Sequence, residues 1–449
     1  MRVELEGLRT ASIDRRLLAI SISALFIDFC SGVIRPVLPI LAREFDAPYF
    51  LVGFVATSYG MARLIVDVPF GSVVDTVGKR PLLLGGTVFY LVGSTVGALA
   101  TNIYHLIVFG FVRGLAYAAY FDACYTLVGD IAPADRRAQY MSINLAASLL
   151  GISVGSAIGG GLSQEWGSHS PFVFTLLVLV VCLAFTHQSI KEGPRVHRAK
   201  PSAVKKVFEL GNVNLIIVYL ASFVSFFSSM SIVDVFLPLY SREILGLSRV
   251  EVGFVLTLES LLTLFTLVLF GQVADRLGRK ASLLLGFGLL SSSGWALGQF
   301  QNRTIYMVMA CVFGVSRGII SPVIRACVID MAAPDRRGIT LGIQRLFCDF
   351  GAILGPALLG YVSDIYGLSS AFTVSAAASA TTCIATLVMN KSPAESAIRP
   401  NQKQCPVSLT GESALPTDSQ RTNKRNSCNN GRDNSIHVLN CCAAQCHVL

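Results

Sequence analysis

The chain has 449 residues, of which 53% are hydrophobic and 14% charged, with a mean hydropathy of +0.61 and a net charge of +9. Soluble domains carry about 25% charged residues, so a water-soluble globular protein is excluded. The apolar runs do not alternate as barrel strands must, which excludes a transmembrane β-barrel.

Residues 1–15 are polar and lack the cleavage pattern of a signal peptide. A membrane span needs roughly 20 apolar residues. Twelve such runs follow, at 16–42, 51–74, 81–100, 104–129, 138–163, 170–188, 213–240, 250–274, 281–300, 304–329, 338–363 and 369–390. A backbone in lipid must satisfy its own hydrogen bonds, so each is expected to be a helix. Residues 16–188 then form one six-helix bundle and 213–390 a second, with a basic linker at 189–212 that contains Pro194 and Pro201. Residues 391–449, rich in Ser, Asn, Thr and Cys without apolar periodicity, read as a disordered tail.

Charge sets the topology. Arg15-Arg16, Lys79-Arg80, Arg136-Arg137, Lys205-Lys206, Arg279-Lys280 and Arg336-Arg337 all fall on one side if both termini are cytoplasmic. The other side shows Arg43, Arg242, Arg249 and Arg303. This positive-inside bias explains the net charge without a nucleic-acid partner. Plasma and organellar membranes fit equally.

Seven cysteines fall in spans (Cys30, Cys124, Cys182, Cys311, Cys327, Cys348, Cys383), where they serve as small packing residues. Cys405, Cys428, Cys441, Cys442 and Cys446 lie in the tail, where the distance from the last span argues against palmitoylation of Cys441 or Cys442. Asn302-Arg303-Thr304 is a sequon in a loop too short for glycosylation.

The halves repeat. Gly71-x3-Asp75-x2-Gly78-Lys79-Arg80 returns as Gly271-x3-Asp275-x2-Gly278-Arg279-Lys280. Asp130, followed by Asp135-Arg136-Arg137, returns as Asp330, followed by Asp335-Arg336-Arg337. Arg113-Gly114 is matched with Arg317-Gly318. Two similar halves of six spans belong to transporters with a substrate site between the halves.

On these motifs, residues 16–390 resemble the major facilitator superfamily. The resemblance implies an all-α fold of twelve helices in two pseudo-symmetric bundles around one cavity. It also implies a latch for the outward-facing state, built from Gly71, Asp75, Gly78, Lys79, Arg80 and Asp130 and from Gly271, Asp275, Gly278, Arg279, Lys280 and Asp330. Thr76 stands where the second copy has Arg276. On residues alone, Gly71 and Gly78 permit a tight turn, and Lys79 is in reach of Asp130.

Gly151-x3-Gly155-x3-Gly159 in the fifth span is a smooth face for close packing. It is similar to the glycine motif of proton-coupled drug antiporters, although Ser156 replaces the usual proline. Gly355-Pro356 supplies that pair in the eleventh span.

Charges inside a membrane are costly and are functional by default. At about 1.5 Å of rise per residue, three acids (Asp28, Glu259, Asp349) and three arginines (Arg63, Arg113, Arg317) lie near the midplane. Arg35, Asp67, Asp122, Asp234, Arg325 and Arg345 lie nearer a face. Asp28 beside Arg113 reads as a proton-coupling pair, because water access and burial both move a carboxyl's proton affinity. Arg113 matches the arginine that the superfamily links to proton transfer, with Tyr117 where a glycine is usual. The first two spans are also similar to those of vesicular amine transporters. Tyr59 falls at their second-span lysine, and Arg63 one turn later is expected to pair with Asp349 across the bundles; Asp67 is the rival.

The expected function is proton-coupled antiport of amphipathic or cationic compounds by a monomer in a lipid bilayer, with protons and a small-molecule substrate as partners. A uniporter or symporter of a polar or anionic nutrient is the alternative, kept by the arginine excess; a receptor of the same fold is more remote. No nucleophile–base constellation, metal-ligand spacing or phosphate loop points to an enzyme or a cofactor.

Overall fold

Apolar helices long enough to cross a bilayer number twelve among the described residues. The computed structural model describes residues 14–67, 77–133, 136–190, 213–332 and 337–389; of residues 138, 271–276 and 337 it describes the backbone alone. Helix α1 covers Arg15–Glu44 and breaks between Arg15–Ile34 and Leu38–Glu44. Then follow α2 (Tyr49–Asp67), α3 (Lys79–Ala98), α4 (Ile103–Ile131), α5 (Arg137–Trp166) and α6 (Ser170–Ser189). The second set is α7 (Val213–Glu243), α8 (Arg249–Leu277), α9 (Arg279–Gln299), α10 (Arg303–Met331), α11 (Arg337–Tyr366) and α12 (Ser369–Val388). The expected spans fall on these helices one for one. The linker, the tail, Gly71, Asp75 and the cysteines of the tail lie outside the described residues.

Polarity is inverted relative to a soluble protein. Leu177, Val268 and Ile384 stand 65%, 56% and 63% exposed, whereas Asp28, Glu259 and Asp349 are 1%, 0% and 3% exposed. Large apolar side chains thus face outward, where lipid would lie, and carboxylates face the centre.

Glycine sets the closest helix contacts. A Cβ on Gly151, Gly155 or Gly159 of α5 would overlap the carbonyl oxygens of Leu25, Phe29 or Val33 on α1. The same device recurs in the second half, where Gly351 meets Phe223 and Gly355 meets Phe227 of α7. Two more contacts cross between the halves: Gly53 of α2 lies against the Pro356 carbonyl of α11, and Gly253 of α8 against the Ser156 carbonyl of α5. Ser156 and Pro356 therefore occupy equivalent places, one bearing the proline and the other not. Small residues let backbones approach in a lipid environment that offers helices no hydrophobic reason to associate.

Helix termini fix the register of the repeat. The side chains of Asn102 and Asn302 cap α4 and α10, each accepting from two backbone N–H groups. This role engages the Asn302 side chain of the sequon. Gly114 packs on the Tyr59 carbonyl and Gly314 on the Glu259 carbonyl. In this register Arg317 is equivalent to Tyr117, and Arg113 to Phe313. The sequence match of Arg113-Gly114 with Arg317-Gly318 is thus one helical turn out; both pairs are Arg-Gly, but the caps and the packing glycines place them at different heights.

The first and seventh helices differ in one residue of length. Gly151 meets Leu25 and Gly351 meets Phe223, yet Leu38-Pro39 and Leu237-Pro238, each opening the last short helix, stand thirteen and fourteen residues further on. The extra residue is absorbed by a π-helical segment, Ser229–Phe236. Such segments accommodate a one-residue insertion and gather at functional sites. In α1 the same level is the break at Arg35–Val37 beside Pro36, which cannot donate a hydrogen bond.

Candidate functional site

A cavity lies between the halves, walled by Asp28, Ser31, Tyr59, Arg113 and Tyr117 on one side and by Asp234, Ser260, Thr263 and Arg317 on the other. Arg35 reaches across its roof.

On the wall of the second half every charge has a counter-charge. The Arg317 guanidinium bonds the Glu259 carboxylate through Nη1, and its Nε donates to Ser229 Oγ at 3.1 Å. Glu259 is completely buried and accepts further hydrogen bonds from Ser260 at 3.1 Å and Thr263 at 3.2 Å. A buried carboxylate so surrounded meets the requirement that its lone pairs be filled. Arg35 Nε donates to Asp234 Oδ1 at 2.5 Å, its Nη1 donates to Ser260 at 3.1 Å, and Glu259 lies 3.9 Å away. The break in α1 thereby meets the π-segment of α7.

The wall of the first half is different. Asp28 receives one long hydrogen bond, from the Tyr117 hydroxyl at 3.5 Å; the Ser148 hydroxyl lies beside its carboxyl, but Oδ2 makes no hydrogen bond of ordinary geometry. Arg113 donates from Nη2 to Ser31 Oγ at 2.5 Å and lies over the Tyr59 ring at 5.1 Å, while its buried Nε is unpartnered. No ion pair joins Asp28 to Arg113. The two share a wall, and each is bonded to a hydroxyl instead, Arg113 to that of Ser31 and Asp28 to that of Tyr117. The expected Asp28–Arg113 pair is therefore two unpaired, neighbouring charges.

Below this wall lies a five-membered charge cluster. Arg63 Nη2 is 3.7 Å from Asp349 Oδ1 and 3.8 Å from Asp67 Oδ2, so the expected partner and its rival share it about equally. The shorter bond across the halves belongs to Arg345, whose Nη2 donates to Asp67 Oδ2 at 2.9 Å. Arg345 also lies 3.8 Å from Asp122 and 3.6 Å from Asp349. Arg63 faces the rings of Tyr59 and Tyr117 at 5.8 and 5.5 Å, so Tyr59 lies between two guanidinium groups.

The loop-motif residues act within each half. Lys79 forms an ion pair with Asp130, and Arg279 Nε donates to Asp330 Oδ2 at 3.1 Å. Gly78 and Gly278 precede α3 and α9 with φ of 94° and 88°, a region that favours glycine. Arg80 donates to the His187 carbonyl at 2.8 Å, and Lys280 to those of Leu387 and Met389 at 2.6 and 2.7 Å. These last two, read from the sequence as part of the latch, bind the final carbonyls of α6 and α12, where a cation is favoured. Gly271 and Asp275 lie in α8, where the backbone alone is described.

On the opposite face the halves are joined by polar bonds: Arg43 to Glu243 at 2.8 Å, Arg249 to Glu44 at 2.5 Å, and the backbone N–H groups of Tyr49 and Phe50 to Asp364 at 2.7 and 2.9 Å. The cavity is thus closed on the face away from Lys79 and Arg279.

The sequence placed Arg35 and Asp234 near a face and gave them no role. Pro36 beside a charged residue was the available signal for Arg35. Nothing in the sequence announces the π-segment that brings Asp234 to meet it.

The Major Facilitator Superfamily model matches residues 20–250 and 218–427. The chain belongs to the major facilitator superfamily. It is 22% identical over 368 residues to multidrug resistance protein 2 of Bacillus subtilis, covering 78% of this chain and 90% of that protein. It is 26% identical over 345 residues to the sialic acid transporter NanX of Escherichia coli, covering 75% and 83%. The structure of the nucleoside transporter NupG superposes with a TM-score of 0.68 at 15% identity, covering 83% of this chain and 98% of that one. The chain is accordingly a multi-pass membrane transporter by family and fold.

Proposed function

We propose that this protein is a proton-coupled antiporter that moves small amphipathic compounds with a cationic group by alternating access, with Asp28 as the shared site for the proton and the cationic group. The observation that carries this is the state of Asp28. It is 1% exposed, it lines the cavity, it has no counter-ion, and one of its oxygens is unpartnered. A carboxylate held that way in a membrane is stable when it has bound either a proton or a cation, and the two then compete. Asp234, the other acid that lines the cavity, is bound to Arg35, and the fully buried Glu259 is bound to Arg317. The likeness to a multidrug resistance protein fits an export role, whereas the likeness to a sialic acid transporter keeps acidic substrates in view.

With both termini cytoplasmic, as the basic loops suggest, the closed face is the outer one. The Lys79–Asp130 and Arg279–Asp330 pairs, with Asp75 and Asp275, then form the inner latch of this reading. Proteoliposomes test the coupling. Asp28→Asn is expected to abolish uptake driven by a pH gradient and to weaken binding of the cationic group, while the protein stays folded by its melting curve. Uphill, proton-driven uptake by the Asn variant would overturn the assignment.

A further inference from the structure

Three arginines face the cavity, and two are paired within the protein: Arg35 with Asp234 and Arg317 with Glu259. Arg113 has one hydroxyl partner, a tyrosine ring and an empty Nε. A guanidinium carries five donors, and an unpaired one in a membrane costs several kcal/mol. Its neighbour Asp28 is unsatisfied in the opposite sense.

The spacing between them is short. Ser31, bonded to Arg113, lies three residues beyond Asp28 on α1, and Tyr117, bonded to Asp28, lies four residues beyond Arg113 on α4. Those intervals are about 4.5 and 6 Å of helix. The two unfilled heads are therefore neighbours on one wall, each bonded to a hydroxyl-bearing side chain that lies about one helical turn from the other charge. Beside them, Tyr59, Val55 and Ile152 give the cavity an aromatic and aliphatic wall.

We propose that the substrate is dipolar: its cationic end meets Asp28 and its anionic end, a carboxylate or a group of like geometry, meets Arg113, with an apolar body against Tyr59. The inference rests on the proposed role of Asp28 and adds a second recognition group. A guanidinium binds a carboxylate through two parallel hydrogen bonds, which sets orientation as well as affinity. Binding both ends would also neutralise both charges of the wall at once.

The test is equilibrium binding to the purified full chain in nanodiscs. Four probes on one phenyl skeleton are compared: phenethylamine, 3-phenylpropionate, phenylalanine and 4-amino-3-phenylbutyrate. At least one of the two dipolar probes is expected to bind about tenfold or more tightly than either singly charged one, as one added charged hydrogen bond allows. Arg113→Gln is expected to remove that advantage and to leave phenethylamine within about twofold, and Arg113→Lys to restore part of it, since lysine keeps the charge without the planar fork. Equal binding of phenethylamine and the dipolar probes, or an equal loss for all probes in Arg113→Gln, overturns the proposal; the latter result would mean that Arg113 acts through Asp28 and not on ligand. If 3-phenylpropionate binds through Arg113 and Asp28→Asn changes nothing for any probe, the anionic site stands and the cationic role of Asp28 fails.

Discussion

Arg317 and Glu259 form, in the second half, the contact whose place in the first half is taken by Tyr117 and Tyr59. The ion pair joins α10 to α8, and the two rings meet edge to face at 5.8 Å between α4 and α2. One repeat thus spends this level on a closed charge pair and the other on an aromatic surface. The consequence is asymmetry across the cavity: the charges of one wall are paired with one another, and those of the other are not.

Glu259→Gln is expected to behave unlike Asp28→Asn. It leaves Arg317 without its counter-charge in a buried site, and breaking such a pair typically costs about 3–5 kcal/mol. The loss should show first as a lower thermal midpoint of the detergent-purified protein. The double variant Glu259→Gln/Arg317→Gln should recover most of it. A Glu259→Gln protein of unchanged stability that loses only proton-driven uptake would give Glu259 the coupling role assigned here to Asp28.

The inner cluster makes a second prediction. Arg345, bonded to Asp67 at 2.9 Å, carries the shorter link between the halves, while Arg63 is shared at 3.7 and 3.8 Å. Arg345→Ala should therefore impair transport at least as much as Arg63→Ala. The charge swap Asp67→Arg/Arg345→Asp should recover more activity than Arg63→Asp/Asp349→Arg, because Arg63 would retain Asp349 at 3.7 Å. Uptake rates for the four single variants and the two swaps give the coupling energies, and neighbouring pairs of this kind typically couple by about 0.5–3 kcal/mol. Recovery by the Arg63–Asp349 swap alone would restore the simpler two-residue bridge.

Helix packing offers a third. Gly155 of α5 lies directly on the Phe29 carbonyl, and backbone cannot yield as a flexible side chain can. Gly155→Val should force α1 and α5 apart and destabilise the protein by about 1–3 kcal/mol or more, as overpacking does. Gly161, with open space around its Cβ position, is the control: Gly161→Ala should be nearly silent in the same melting assay. Equal effects at the two sites would show that α5 is loosely held.

These cases show what a linear reading can reach. Span number follows from length and polarity, because the bilayer fixes both. Gly151, Gly155 and Gly159 declare a packing face through a spacing of four, although which helix receives it is not written there. Depth along a helix can be counted from its end, so Arg63 and Asp349 came out level. The azimuth about the helix and the reach of a long side chain cannot be counted. Arg345 climbs to Asp67 from a starting point nearer the face, and Arg63 falls between two acids. Arg113-Gly114 and Arg317-Gly318 are an identical dipeptide at different heights, because the caps at Asn102 and Asn302, not the dipeptide, fix the register of α4 and α10. The meeting of Arg35 with Asp234 depends on two backbone irregularities, one at Pro36 and one in the π-segment, and only the first leaves a mark in the sequence.

That meeting supports the last prediction. Arg35 leaves α1 at its break and bonds Asp234 at 2.5 Å and Ser260 at 3.1 Å, both on helices of the other half, directly above the cavity. Further out, Arg43–Glu243 and Arg249–Glu44 join the same halves, but those side chains are up to 39% exposed and exposed pairs contribute roughly 0–1 kcal/mol each. The Arg35 side chain is 12% exposed and Asp234 32%, and what sets this contact apart is that the same guanidinium also bonds Ser260 and lies 3.9 Å from the fully buried Glu259. Opening the cavity on this face requires separating the two residues, and Asp234→Asn lowers the cost of doing so by removing a charge-assisted bond worth about 1.5–3 kcal/mol. The equilibrium should shift by about ten- to a hundredfold toward the state open on that face. A cysteine at Ala56, on the cavity wall, in a background without other reactive thiols, reports this through its labelling by a membrane-impermeant maleimide from each side. Asp234→Asn should raise labelling from the face of Arg43 and lower it from the face of Lys79, and Glu243→Gln should change both by less than about fivefold, in keeping with an exposed pair. If Glu243→Gln opens the protein as far as Asp234→Asn does, the closure resides in the surface bonds and the Arg35–Asp234 contact is a passenger of it.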